Sequence, residues 1–171
     1  MLVGVVSDTH DNAQYVDAAV AAFADAGVDA VVHCGDIVAP FSVTPFDPDA
    51  VDGSDADWKL HAVRGNNDGE WALADAVESF GTYHGEFAEL TLDGADFAVY
   101  HGTSEPIVDA LIASENYDYV CRGHTHERVH EERGGTVHIN PGGVPIPGRE
   151  EEPAAAVVDT ASDEVSFVGL G

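Results

Sequence analysis

Apolar and polar positions along the chain alternate between two periods. Leu2–Val6 is a short apolar run broken by Ser7-Asp8, and Ala13–Ala26 then carries Val16, Ala19, Val20 and Phe23 at helical spacing before Gly27. A strand followed by a helix is predicted. Ala30–His33 and residues 60–63 read as the next strands, separated by Pro40, Pro45, Pro48 and an Asp-rich stretch, 47–57, expected to be an irregular solvated loop. Residues 70–79 form a short helical pattern. Phe87–Leu92 and 97–100 flank Asp93-Gly94 as a hairpin, and residues 106–114 start a helix with Pro near its first turn. The runs 119–122, 129–132, 136–139, Ala154–Asp159 and 165–168 are further strands, with Gly134-Gly135 as a turn. Without repeats or a linker, the pattern predicts one α/β layered domain over residues 1–171, two packed sheets with helices outside.

Five polar clusters each follow an apolar run: Asp8-Thr9-His10, Gly35-Asp36, Gly65-Asn66-Asn67-Asp68, His101-Gly102 and Gly123-His124-Thr125-His126. Sites in open α/β sheets form beyond the carboxyl ends of strands, so neighbouring strands would bring these clusters together. In an extended segment residues i and i+2 point to one side, which lets Asp8 and His10, or His124 and His126, share an ion. Each cluster alone is an ordinary surface or core feature. Their joint placement after successive strands is not explained by core packing, because core positions are apolar. Carboxylate, amide and imidazole donors without thiolate suit Mn(II), Fe or Zn rather than a structural zinc, and Ca or Mg would take fewer histidines. A carboxylate can bridge two ions, and Asp36 is the candidate bridge.

Charge narrows the partners. The 171 residues hold 32 Asp+Glu against 6 Lys+Arg, a formal net charge of -26, yet 44% are hydrophobic, so the chain is expected to fold. Such acidity implies adaptation to high salt, which screens the self-repulsion. It weighs against nucleic-acid or anionic-membrane binding, since no basic patch exists to replace phosphate counterions. With neither a signal peptide nor a membrane span in the sequence, a cytoplasmic protein is expected. Cys34 and Cys121 are expected to be buried reduced thiols.

The order D-x-H, GD, G-N-x-[DE], H-G, G-H-x-H, from Ser7 to about Gly143, resembles the calcineurin-like metallophosphoesterase superfamily. The segments HCGDI, GNNDGE, GHTHERV and NPGG are similar to its small prokaryotic phosphodiesterase branch. The resemblance implies a four-layer αββα sandwich of two mixed sheets flanked by helices. It implies two divalent ions, Mn(II) foremost, with Ni, Fe and Zn compatible: Asp8, His10, Asp36 and His126 around one, Asp36, Asn66, His101 and His124 around the other. Asp36, Asn66 and His101 are then the catalytic set. Two such ions outweigh the two carboxylates and leave the site positive, able to attract a small phosphoester. A water shared by the ions would lose its proton near neutral pH and attack phosphorus in line.

One departure bears on the substrate. Where many phosphatases of the superfamily carry a His thought to protonate the leaving alkoxide, this chain has Asn67, and an amide cannot deliver a proton. Diesters are therefore expected rather than monoesters, unless Asn67 merely shapes the turn. A phosphomonoesterase or nucleotidase with the same site, and a non-catalytic scaffold on the same fold, are the alternatives. Asp68 either orients a ligand or closes its turn. His33, His61, His84, His130 and His138 are expected to be structural. Asn140-Pro141-Gly142-Gly143 could line a phosphate site with backbone N–H groups or be an ordinary turn, and Gly143 offers no hydroxyl where relatives often have Ser.

Overall fold

The computed structural model describes residues 1–51, 53, 55–69, 71–146 and 152–171. Among the described residues, eleven strands form two sheets. The first runs β11(Glu164–Gly169), β10(Ala154–Asp159), β1(Leu2–Val6), β2(Ala30–His33), β3(Lys59–Ala62), β4(Gly81–Tyr83); the second runs β5(Phe87–Leu92), β6(Ala95–Tyr100), β7(Tyr119–Cys121), β9(Thr136–Asn140), β8(Val129–Arg133). Both are mixed. β1 to β4 are mutually parallel, β10 runs antiparallel to both β1 and β11, and β6, β7 and β9 are parallel with β5 and β8 as antiparallel edges.

Alternation along the strands sorts side chains into layers. Val3 and Val5 of β1 meet Phe97 and Val99 of β6 and Tyr119 and Cys121 of β7 between the sheets. Val6, Val31 and Leu60 face the other way, against Val16, Phe23, Leu73 and Val77 of helices α1(Ala13–Ala26) and α2(Trp71–Glu78). On the far side, Ala98 and Val120 pack against Val108 and Ile112 of α3(Glu105–Ala113). Helix, sheet, sheet, helix is the αββα order expected. Asn12 caps α1 by accepting from the Tyr15 N–H at 3.1 Å, and Gly27 closes it in the left-handed region at φ 66°.

The acidic excursion differs from the expected solvated loop. It is built on 3-10 turns at Pro40–Ser42, Thr44–Phe46 and Pro48–Ala50, and Phe46 is fully buried, its carbonyl accepting from Trp58 Nε1 at 2.8 Å. Two aromatics anchor the segment, while Asp49, Asp55 and Asp57 do lie in solvent. Asp52, Ser54 and Glu70, which belong to the predicted loop and helix, lie outside the described residues. Cys34 and Cys121 are free and buried between the sheets, where burial raises both thiols, Cys121 to about 12. No helix of the described residues is long and apolar enough to cross a membrane.

Candidate metal centre

Six of the strands that end on one side of the molecule, three from each sheet, lead into polar loops: β1, β2 and β3, and β6, β7 and β9. The five polar clusters follow five of them, and Asn140-Pro141-Gly142-Gly143 follows the sixth. The clusters converge. His126 Nε2 lies 3.3 Å and His10 Nε2 3.8 Å from Asp8 Oδ1. His10 Nε2 is 3.5 Å and His101 Nε2 3.4 Å from Asp36 Oδ2. Asn66 Oδ1 meets His101 Nε2 at 3.0 Å and His124 Nδ1 at 2.8 Å. All seven residues singled out in the sequence are thus in one place. Asp8, His10 and His126 form one group with donor atoms within 4.8 Å of one another, and Asp8, Asp36 and His101 a second. Asp8 is common to both groups, and Asp36 Oδ2 lies between His10 and His101, so two carboxylates sit at the junction.

Unusual backbone aims these side chains. Asp8 (φ 53°), His10 (43°), Asp36 (57°), His124 (69°) and His126 (56°) are all left-handed, a conformation that costs non-glycine residues and that clusters at functional sites. Surrounding hydrogen bonds hold it. Asp68, buried, accepts from the N–H groups of Asp36 at 2.9 Å, Gly65 at 2.8 Å and Val38 at 2.7 Å, so it closes its turn and fixes Asp36 at once. Ser7 Oγ and the His124 N–H both donate to Asp8 Oδ2, at 2.6 and 2.9 Å. The approach is close: a Cβ on Gly123 would lie 1.8 Å from Ser7 Oγ and 2.3 Å from Asp8 Oδ2.

Second-layer partners set the imidazole tautomers. His101 Nδ1 donates to the Cys34 carbonyl and His126 Nδ1 to the Val144 carbonyl, each at 2.8 Å, which leaves both Nε2 atoms with a lone pair toward the carboxylates. Asp8 Oδ1 and His10 Nε2 are buried with no hydrogen-bond partner. Two buried, unpartnered donor atoms facing each other suit a cation. Burial opposes the charge on Asp8 and on Asp36, but His10 and Ser7 around Asp8, and His101 and Asn67 around Asp36, more than offset it and hold both carboxyls below their usual range. Burial depresses His124, leaving a neutral imidazole, the form that binds metal. Oxygen and nitrogen donors, two of them anionic, fit divalent transition ions.

Several supports had no signal in the sequence. Ser7 is one. Arg122 is another: buried, it donates to the carbonyls of Gly102 at 3.1 Å and Gly123 at 3.3 Å and to Glu105 at 2.6 Å, tying two clusters to α3. His33, expected to be structural, props Thr9, its Nε2 lying 3.2 Å from Thr9 Oγ1 while Nδ1 accepts from the Gly35 N–H. Asn67 binds Asp36 twice, through its own N–H and through Nδ2, each at 2.7 Å. It is a clamp on a carboxylate as well as part of a turn. Asn140 Nδ2 braces Gly123 and Thr125, and its Oδ1 accepts the Gly142 N–H, so that donor is already engaged. Gly143 packs on Asp8, where an added Cβ would lie 2.5 Å from Asp8 Cβ. His61 and His84 pair with each other at 3.0 Å, and His138 with Glu131 at 2.9 Å, while His130 is exposed beside Phe167.

Residues 1–163 match the model of the calcineurin-like phosphoesterase superfamily domain. Phosphodiesterase MJ0936 of Methanocaldococcus jannaschii is 36% identical over 148 residues, 83% of either chain. The solved structure of a novel archaeal phosphodiesterase superposes with a TM-score of 0.87 at 31% identity and covers 99% of both chains. Wild-type Vps29 of Entamoeba histolytica complexed with Zn2+ shares the fold at TM-score 0.66 and 15% identity, each chain covered in full. The chain belongs to the calcineurin-like phosphoesterase superfamily.

Proposed function

We propose that this protein is a phosphodiesterase that hydrolyses small phosphodiesters with two divalent ions. Asp8, His10, Asp36 and His126 would hold one ion, and Asp36, Asn66, His101 and His124 the other, with Asp36 shared. The carrying observation is the pair of buried, unpartnered atoms Asp8 Oδ1 and His10 Nε2 amid five more oxygen and nitrogen donors. Mn(II) is the ion proposed first, and Ni, Fe and Zn are compatible. Bound there, the ions would supply Lewis-acid activation of water and neutralise charge on phosphoryl oxygens. The protein's own part is to position. Asp36, Asn66 and His101 fix donors at the reacting phosphate, Asp68 and Asn67 hold Asp36, and the carbonyls of Cys34 and Val144 hold the imidazoles.

Diesters are favoured because position 67 carries an amide, engaged with Asp36, and not an acid. That MJ0936 is a phosphodiesterase supports the same choice. A cytoplasm of high ionic strength is the setting that a net charge of -26 and two free thiols favour. The test is hydrolysis of bis(p-nitrophenyl) phosphate in molar KCl with and without Mn(II). Turnover that needs Mn(II), falls about a hundredfold or more in Asp36→Ala, and exceeds that of p-nitrophenyl phosphate is expected. Metal-independent turnover or an unaffected variant overturns the proposal, and protein that takes up no Mn(II) by elemental analysis assigns the fold a scaffolding role instead.

A further inference from the structure

Arg64 stands between two cavities beside the candidate metal centre. The nearer, about 170 Å3, is lined by Arg64, Gly65, Asn66, Glu86, Tyr100 and Thr103, so it opens against the amide that meets His101 and His124. The Tyr100 and Thr103 hydroxyls share a hydrogen bond of 2.8 Å there. The farther, about 270 Å3, is lined by Arg64, Asp68, Gly69, Trp71, Ala74 and Tyr83. Arg64 is held in place by donating from Nε to the Asp68 carbonyl at 3.2 Å and from a terminal nitrogen to Glu86 at 3.3 Å.

Trp71 is the feature that packing does not explain. It is 80% exposed, the most exposed large apolar side chain among the described residues, whereas Trp58 is 3% exposed. It opens α2 directly after the Asn66–Asp68 loop, and the 3-10 turn that carries Phe41, itself 64% exposed, packs against the same helix. Hydroxyls thus line the cavity that touches Asn66, a guanidinium lines both cavities, and an exposed indole lines the other. Phosphate, sugar and base follow one another in that order in a nucleotide. Aromatic rings and Arg stack on any base.

We propose that these two cavities bind the nucleoside part of a nucleotide diester, its sugar at Tyr100 and Thr103 and its base against Trp71, Tyr83 and Arg64. The inference rests on the phosphodiesterase reading and names its substrate class. A polynucleotide does not fit, because a chain of net charge -26 repels a phosphate backbone.

Two esters with one leaving group test it in molar KCl with Mn(II): the p-nitrophenyl ester of thymidine monophosphate and methyl p-nitrophenyl phosphate. The thymidine ester should be preferred in kcat/KM by about ten- to a hundredfold. Trp71→Ala should abolish that preference without changing the methyl ester, and Trp71→Phe should keep most of it. Binding is read separately without metal, as saturable quenching of Trp71 fluorescence by AMP that is weakened in Tyr83→Ala, which keeps the indole. If the methyl ester is hydrolysed but the preference is absent or survives Trp71→Ala, the inference falls and the phosphodiesterase reading stands. If neither ester is hydrolysed, that reading falls, and quenching by AMP supports nucleotide binding while its absence overturns it. Dissociation of a dimer on Trp71→Ala, with ester preference unchanged, would assign the patch to a second copy of the chain and overturn the inference.

Discussion

Asp36 receives hydrogen bonds from both nitrogens of Asn67, while its own N–H is held by Asp68. Of these, only the Asn67 Nδ2 bond depends on the side chain at position 67. Asn67→Ala should therefore leave the fold intact yet weaken Mn(II) binding about tenfold or more, as loss of an outer partner does at metal sites. Calorimetric titration with Mn(II) reads this, and unchanged affinity would show that the clamp is idle. Asn67→His removes the same bond but adds an acid. It should lower the diester rate and narrow the ratio of bis(p-nitrophenyl) phosphate to p-nitrophenyl phosphate turnover, whereas an unchanged ratio would place substrate choice elsewhere. The donors were legible in the sequence because they are polar residues where strands end. Asn67 was legible only as a missing His, since a hydrogen bond to a residue 31 positions away leaves no local trace. Ser7 was silent for a different reason: its Oγ bonds the next residue, Asp8, and in sequence nothing separates it from an ordinary strand-end serine.

At the scale of elements, β3 and the segment after β4 meet through His61 Nδ1 and His84 Nε2 at 3.0 Å. Both rings cannot be charged at that distance. Burial foremost, with His84 and Lys59 adding to it, lowers His61 from 6.5 to about 4, and burial lowers His33 from 6.5 to about 3. The unfolded chain binds these protons more readily than the native one. Their contribution to stability is therefore complete above about pH 6.5 and is lost as pH falls toward 4. For His61 the loss is on the order of 2–3 kcal/mol. His61→Leu should remove its share of this loss, so unfolding free energy from urea titrations at pH 4.5, 5.5 and 6.5 should fall less steeply in the variant; an equal slope would mean that His61 titrates alike in the folded and unfolded states. The depressed carboxyls Asp8 and Asp36 act in a separate window, below the usual carboxylate range.

Arg122 joins the ends of β6 and β7 to α3 through two carbonyls and Glu105. Arg122→Met keeps the bulk and strands those carbonyls, at a cost of about 2–4 kcal/mol. Urea unfolding in molar KCl measures it, and a loss below about 0.5 kcal/mol would make the arginine dispensable. Elements with clear periods were readable: α1 from its apolar stripe and the β5–β6 hairpin from Asp93-Gly94. β4 was not, being three half-buried residues with no alternation, and its place at the sheet edge is set by pairing with β3. The Phe46 plug was hidden because proline and aspartate around it read as loop, while burial comes from the helices it packs on.

Across the whole molecule, 32 acidic and 6 basic residues meet two opposite requirements. Around the donor cluster, buried carboxylates are matched by imidazoles and amide donors; elsewhere acidic side chains on the exposed face have few cations to pair with. Arg122 is buried against the second sheet, and Arg133 is taken up by Asp109 and Glu131. Folding therefore concentrates like charge that the extended chain keeps apart, and screening relieves it: the Debye length falls from about 10 Å at 0.1 M salt to about 3 Å at 1 M. Raising KCl from 0.1 to 2 M should lift the thermal midpoint by about 10 °C or more, since each kcal/mol shifts a domain of this size by about 2–4 °C. Specific ion effects and excluded volume predict a different pattern. Equal osmolality of sucrose should not reproduce the rise, whereas neutralising surface acids in pairs, as in Asp55→Asn with Asp57→Asn, should reduce its slope. A midpoint that sucrose raises as much as KCl does, or a slope that charge removal leaves unchanged, would show that the acidic surface is not what couples stability to salt.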